Sequence, residues 1–342
     1  MKRFIIKVLL LLVLLAGLIQ GLNRLAQKPG DIYKDGAALV CEKKRNMVRS
    51  GDVRHAPDKA NVLFMGTSRI LAGMIPAYFD ALTGGKTFSY NLAFPALTIS
   101  ESYFVLKDYL DNNPPPQVIV ISPDIRRCKT CTVSNYYAVQ GMEKWSEILS
   151  LTQNLQTKSI IFNFLFPFRM YKYFTVQYVK DRLFSPESIR DIQKKNRAIL
   201  SRMETDRGYY FIQEQATFGD NPGDETVPGQ SSKRGLEYDP FDDPYVELFF
   251  DLAARYRIHV LLIQPAFREG QYVQHQEIPF QYHVLRNRYD NVSIAGDGWK
   301  MKFLKLAYFA DASHLNQKGA MVYTRIIYNE FIECFKHFRG KE

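Results

Sequence analysis

Cysteine is scarce. The 342 residues hold four, Cys41, Cys128, Cys131 and Cys334, too few for a fold stapled by disulfides. Cys128 and Cys131 share the stretch "RRCKTC", but no second CxxC follows to complete a zinc site. The six His are scattered and form no HExxH pair, so neither a metal nor any other cofactor is expected. In an oxidising compartment Cys128 and Cys131 can close a small local disulfide; two free thiols are the alternative. Zinc-finger spacing, aromatic–glycine RNA-binding motifs and internal repeats are also missing. The net charge of +10 therefore points to no nucleic acid, and suits anionic neighbours such as lipid headgroups or acidic polymers.

The content that is present is that of a folded domain. Hydrophobic residues make up 46% and charged residues 23%, and the length allows one large domain or a domain carrying an insertion. Trp is rare, but 21 Tyr and 24 Phe make an aromatic-rich core or cleft.

The first 27 residues stand apart. Lys2, Arg3 and Lys7 lead an apolar run from Val8 to Ile19, which reaches from Phe4 to Leu22 if Lys7 snorkels. At about 1.5 Å per residue this is roughly the thickness of a hydrocarbon core. The basic end should stay in the cytoplasm and the rest of the chain outside it. No small-x-small cleavage site stands out, so an uncleaved anchor is expected, with a removed signal peptide as the alternative. Residues 28–59 are polar and read as a juxtamembrane stalk with a helix over Ala37–Met47.

Beyond residue 60 the pattern becomes an alternation. "NVLFMG", "KTFSYNLA", "QVIVISP", "IHVLLIQP" and "NVSIAG" read as five buried strands. "IPAYFDALTG", "TISESYFVLKDYLDNN", "PYVELFFDLAARYR", "PFQYHVLRNRY" and the final "NQKGAMVYTRIIYNEFIECFKHF" read as helices between and after them. The alternation predicts an α/β fold, a parallel sheet covered by helices on both faces. It is interrupted over about 126–240, where helices at "MEKWSEILSLTQNL" and "PESIRDIQKKNRAILSRM" and a long Gly, Pro and Asp-rich loop read as an insertion.

Two short stretches carry chemistry. "NVLFMGTSRI" ends an apolar strand in Gly66, followed at once by Thr67 and Ser68. Ligands of such sheets bind at the carboxyl ends of strands, which is where Ser68 falls. "FADASHLNQKGA" sets Asp311 and His314 three residues apart before the last helix. A serine hydroxyl needs a base to take its proton, and the base needs a partner to fix its tautomer; Ser68, His314 and Asp311 supply those three roles. Each stretch also has a plainer meaning: Ser68 as the N-cap of the next helix, Asp311 as the cap of the last one.

"GTS" at Gly66–Ser68 and "DASH" at Asp311–His314, in these places, resemble the SGNH (GDSL-type) hydrolase superfamily. The membrane-anchored subgroup with "GTSR" and "DxxHLN…GA" is similar, and its members work with membrane-bound acyltransferases in polysaccharide O-acetylation and teichoic acid D-alanylation. The resemblance covers about 61–124 and 244–335. It implies a three-layer α/β/α fold and acyl-ester hydrolysis or transfer, with Ser68, His314 and Asp311 catalytic. It also implies an envelope glycan as acyl donor or acceptor, with a membrane-bound acyltransferase as partner. Ser68, Ala96 and Asp124 fall at the oxyanion-hole positions. In the second block, "NLAFPALT", Asn91 and Thr98 match while Ala93 and Ala96 replace glycines. In the third, "ISPDIRR", Asp124 stands where the family has an Asn donor, and an ionised carboxylate cannot donate. A protonated Asp124, a role for Arg126, or a site with two donors would each accommodate it. A silent accessory protein that binds the polymer or the acyltransferase is the alternative from another class.

Overall fold

The computed structural model describes residues 2–26, 36–51, 53, 56–95, 97–122, 183–212, 244–269, 280–296 and 302–336. Two helices come first, α1 (Lys2–Ala26) and α2 (Gly36–Arg49). β1 (Ala60–Gly66), α3 (Ser68–Leu71), α4 (Pro76–Leu82), β2 (Thr87–Asn91), α5 (Ile99–Asn112) and β3 (Val118–Ser122) follow. After α6 (Pro186–Thr205) and α7 (Pro244–Arg255) come β4 (His259–Leu262), β5 (Ala266–Arg268), α8 (Phe280–Arg288) and β6 (Val292–Ile294). β7 (Lys302–Leu304), a 3-10 turn (Leu306–Tyr308) and α9 (Gln317–Cys334) close the described chain.

Five strands form one parallel sheet in the order β2-β1-β3-β4-β6. Parallel neighbours need crossovers, and the crossovers are the helices read from the sequence. The strands are buried on both faces, which explains their unbroken apolar runs. Along β1, Leu63 and Met65 join one apolar cluster while Val62 and Phe64 join the other. The same split recurs in β3 and β4. α2, α5, α7 and α8 cover the first face through Met47, Phe104, Phe250 and Leu285; α4 and α9 cover the second through Phe79 and Phe331. Phe79 meets Phe64 and Phe331 edge-on, with ring centroids 5.0 and 5.1 Å apart. Each such fully buried ring contributes about 1.5–3 kcal/mol of transfer free energy.

A second, two-stranded sheet pairs β5 with β7 in parallel. Its strands are three residues each, too short for a period of two to show in the sequence. Lengths elsewhere agree more closely: the helix expected over Ala37–Met47 runs over Gly36–Arg49. α2 lies within the 28–59 segment read as a stalk, and it packs into the body, with Val40, Cys41, Lys44, Met47 and Val48 buried.

The side chains of Phe4, Ile5, Ile6, Val8–Leu15 and Leu18 of α1 are exposed. Among the described residues no helix is long and apolar enough to cross a membrane.

Candidate active site

Gly66 ends β1 for two physical reasons. Its φ of +135° is one that side chains rarely adopt, and a Cβ there would stand 2.9 Å from the backbone oxygen of Ser122 on β3. The chain then turns into α3. Thr67, in extended conformation, caps this turn, its Oγ1 accepting from Arg69 N–H at 3.4 Å. Ser68 is therefore the first helical residue and not the cap. It is partly buried, and its hydroxyl makes no hydrogen bond among the described residues.

The Asp311–His314 loop is built as a tight hairpin. Phe309 and Leu315 pair across an isolated antiparallel bridge, and Ala310 N–H donates to His314 O at 2.9 Å. Both bridge residues are buried in the cluster under α9. Asp311 does not cap α9; Asn316 does, its Oδ1 accepting from Gly319 N–H at 3.0 Å. Gly319 is required by close approach, since a Cβ there would fall 2.1 Å from Tyr308 O.

Asp311 is turned inward on its own loop. Its Oδ1 accepts from the backbone N–H groups of Ser313 and His314, each at 2.8 Å. Its Oδ2 stands 2.7 Å from His314 Nδ1. Partial burial pushes this carboxyl up. The hydrogen bonds from the His314 ring and the two backbone N–H groups outweigh that and hold it well below the usual carboxylate range. An ionised Asp311 can only accept, so Nδ1 carries the proton. In the neutral ring Nε2 is then an acceptor, and it has no hydrogen-bond partner among the described residues.

Packing brings together the neighbours of this loop and of the Ser68 turn. A Cβ on Gly73, just past α3, would stand 3.5 Å from Cδ1 of Leu315, the neighbour of His314. Thr324 of α9 ties the same place, donating to Gly73 O at 3.2 Å and accepting from Ile75 N–H at 3.1 Å. The structure thus joins His314 to Asp311 and brings Leu315, which follows their loop, against Gly73, which follows α3. It makes no hydrogen bond between Ser68 and His314. Ala96, Asp124, Cys128 and Cys131 lie outside the described residues.

Asn91 is entirely buried at the end of β2 and holds the α3 turn from below. Its Nδ2 donates to the carbonyls of Ile70, Leu71 and Met74 at 2.9–3.2 Å, and its Oδ1 accepts from Ala93 N–H at 3.1 Å. Thr98 forms a capping box with Glu101 at the start of α5. A residue not anticipated from the sequence completes this layer. Lys44 of α2 is fully buried and donates to Asn91 O at 2.7 Å, Ala93 O at 2.6 Å and Asn91 Oδ1 at 3.3 Å. Burial holds its pKa well below the lysine value, against a smaller opposing effect of Cys41. The sequence signal was its spacing: Val40, Cys41, Met47 and Val48 are buried at helical intervals around it.

Among the described residues no group of three His, Cys, Asp or Glu is placed to hold a metal ion. No protein-family model matches the chain, and no curated protein matches it.

Proposed function

We propose that the chain is a membrane-anchored serine acyl-ester hydrolase or O-acyltransferase, acting outside the cytoplasm on an envelope glycan. The observation that carries this reading is the 2.7 Å His314 Nδ1–Asp311 Oδ2 contact, which leaves Nε2 as an acceptor, while Leu315 next to it approaches Gly73, just past the serine turn. In this reading Ser68 Oγ attacks the acyl carbonyl as its proton passes to His314 Nε2. Asp311 stabilises the imidazolium. The tetrahedral intermediate collapses, the proton goes to the departing alkoxide, and the acyl group stays as an ester on Ser68. Water or a glycan hydroxyl then attacks the ester, His314 taking its proton and returning one to Ser68 Oγ. No cofactor enters these steps.

The likeness of "GTS" and "DASH" to the SGNH blocks supports the same chemistry, and the glycan rests on that likeness alone. The anchor rests on the sequence of the first 27 residues alone. In the sequence, Phe4 to Leu22 at about 1.5 Å per residue gives roughly the thickness of a hydrocarbon core, behind the basic Lys2, Arg3 and Lys7.

The test is a serine-directed fluorophosphonate. It should label the wild-type protein on Ser68, by peptide mapping, and leave Ser68→Ala unlabelled. One observation favours the accessory reading: Ser68 and His314 share no hydrogen bond. A wild-type protein inert to the probe would make that reading the better one.

A further inference from the structure

We infer that the side-chain amide of Gln264 is a hydrogen-bond donor of the acyl site, aimed at the substrate's carbonyl oxygen as it becomes an oxyanion. The inference rests on the acyl-transfer reading of Ser68. Its starting observation is an unpaired buried donor. Gln264 is 6% exposed, and its Nε2 is buried with no hydrogen-bond partner among the described residues. Such groups are rare because an unmet donor keeps its full desolvation cost, and a native one calls for an explanation. Asn61 Nδ2 is also buried and unpaired among the described residues, but it lies near the opposite, amino end of β1.

The place of Gln264 supplies the explanation. β3 and β4 pair as far as Ile121 and Leu262, and Ile263 N–H still donates to Ile121 O at 2.9 Å. Gln264 is the next residue, past the carboxyl edge of the sheet. Ser68 leaves that edge likewise, two residues beyond the Gly66–Ser122 pair.

Two contacts tie the Gln264 segment to the candidate triad. The ring of Phe267, three residues on, lies 4.8 Å from the guanidinium of Arg69, the neighbour of Ser68. β5, beginning at Ala266, pairs with β7, whose chain runs through the 3-10 turn into the Asp311–His314 loop. The Gln264 segment therefore touches the serine turn at Arg69 and pairs with the strand that leads towards the His–Asp loop.

The backbone beneath the amide is fixed. Tyr323 of α9, fully buried, donates its hydroxyl to Gln264 O at 2.5 Å. A donor on a fixed backbone needs little reorganisation when charge develops on a substrate oxygen, which is what an oxyanion site requires. It also offers a neutral N–H, which Asp124, the residue at the resembled family's donor position in the sequence, cannot offer when ionised.

The full-length protein in detergent decides this, using fluorophosphonate labelling of Ser68, p-nitrophenyl acetate hydrolysis and thermal unfolding. Gln264→Met keeps the length and removes the donor. Its kcat and labelling rate should fall about 10²–10³-fold with KM little changed, while its unfolding midpoint stays at or above that of wild type. Gln264→Glu, a near-isostere that cannot donate when ionised, should lose at least as much rate. Wild-type rates in Gln264→Met overturn the inference. So does a loss of rate that tracks a lowered midpoint, which would make Gln264 a structural group. A wild-type protein that never labels at Ser68 fails the acyl-transfer reading itself, and that is seen before any variant is made.

Discussion

Lys44 Nζ donates to the backbone carbonyl of Ala93 at 2.6 Å, deep between α2 and the chain leaving β2. The same nitrogen reaches Asn91 O and Asn91 Oδ1, so one amine satisfies three acceptors under the candidate site. Lys44→Met keeps the side-chain volume and strands the carbonyls. It should cost about 1–3 kcal/mol in urea unfolding near neutral pH. The pH dependence should change as well. The folded state holds the Lys44 proton less tightly than the unfolded chain does. Stability attributable to this group therefore rises with pH, from the depressed folded value up to the ordinary 10.5. Unfolding midpoints in increasingly alkaline buffers should show that rise in wild type and lack it in Lys44→Met.

Gly66→Ala should be among the more damaging single-methyl changes in the chain. The φ of +135° disfavours any side chain, and the new Cβ would press on Ser122 O at 2.9 Å and Ile70 Cγ1 at 3.0 Å. The first contact is with backbone and cannot swing aside. A loss of about 1–3 kcal/mol is expected from the strained backbone alone. The turn carrying Ser68 should shift with it, so acyl-transfer activity should fall further than stability. Urea unfolding and p-nitrophenyl acetate hydrolysis on one preparation separate the two effects.

The strands were legible in the sequence because burial on both faces makes their residues uniformly apolar, and "NVLFMG" and "QVIVISP" need no tertiary context to be read. The capping roles were less so. "GTS" offers two adjacent hydroxyls, and only the backbone angles decide that Thr67 caps α3 while Ser68 stands in its first turn. In "DASHLN" the plainer reading makes Asp311 the cap of the last helix, and the structure uses Asn316. Lys44 was hidden for a different reason: a charged residue on a short helix reads as solvated unless three buried acceptors happen to face it. Gln264 was hidden because nothing local marks a glutamine after a strand; its significance lies in a missing partner. The β5–β7 pair depends on residues far apart in the chain, and three-residue strands carry no period.

The depressed carboxyl of Asp311 has a stability signature of definite sign. A group whose folded pKa lies below its ordinary value, here 3.8, contributes stability that is present above that value. It is lost as pH falls through the folded value. Asp311 is half exposed, so solvent screens the effect and the change should be small. Urea midpoints taken from about pH 6 down to pH 2 should fall less steeply in Asp311→Asn than in wild type, the small gap in favour of wild type at pH 6 closing as the buffer is acidified. A steeper acid limb in the variant would contradict the hydrogen-bond arrangement of the loop.

Topology gives an independent check on the proposed anchor. Lys2, Arg3 and Lys7 precede the apolar run, and basic flanks are retained in the cytoplasm. A phosphatase reporter that works only outside the cytoplasm, fused after Glu342, should be active. Replacing Lys2, Arg3 and Lys7 by Gln should weaken that orientation. Activity of a cytoplasm-only reporter at the same junction would remove both the anchor and the envelope substrate from the reading.

The triad makes the sharpest demand on the proposed chemistry. The structure supplies the His314 Nδ1–Asp311 Oδ2 bond, and the acyl-transfer reading adds that Ser68 Oγ closes on Nε2 when substrate arrives. Catalytic contacts of this kind span about 2.6–3.2 Å and are commonly looser without substrate. Ser68→Ala and His314→Ala should each abolish p-nitrophenyl acetate hydrolysis with little change in unfolding midpoint, since neither side chain is in the buried core. Asp311→Asn should differ in kind. It keeps nucleophile and base but replaces the acceptor that holds the proton on Nδ1, so a trace of activity should survive a fall on the order of 10⁴-fold. The double variant Ser68→Ala with Asp311→Asn should be no worse than Ser68→Ala, because residues acting as one unit do not lose rate additively. Equal, modest losses in all three single variants, adding up in the double variant, would mean that the three side chains shape the loop and do not share a reaction.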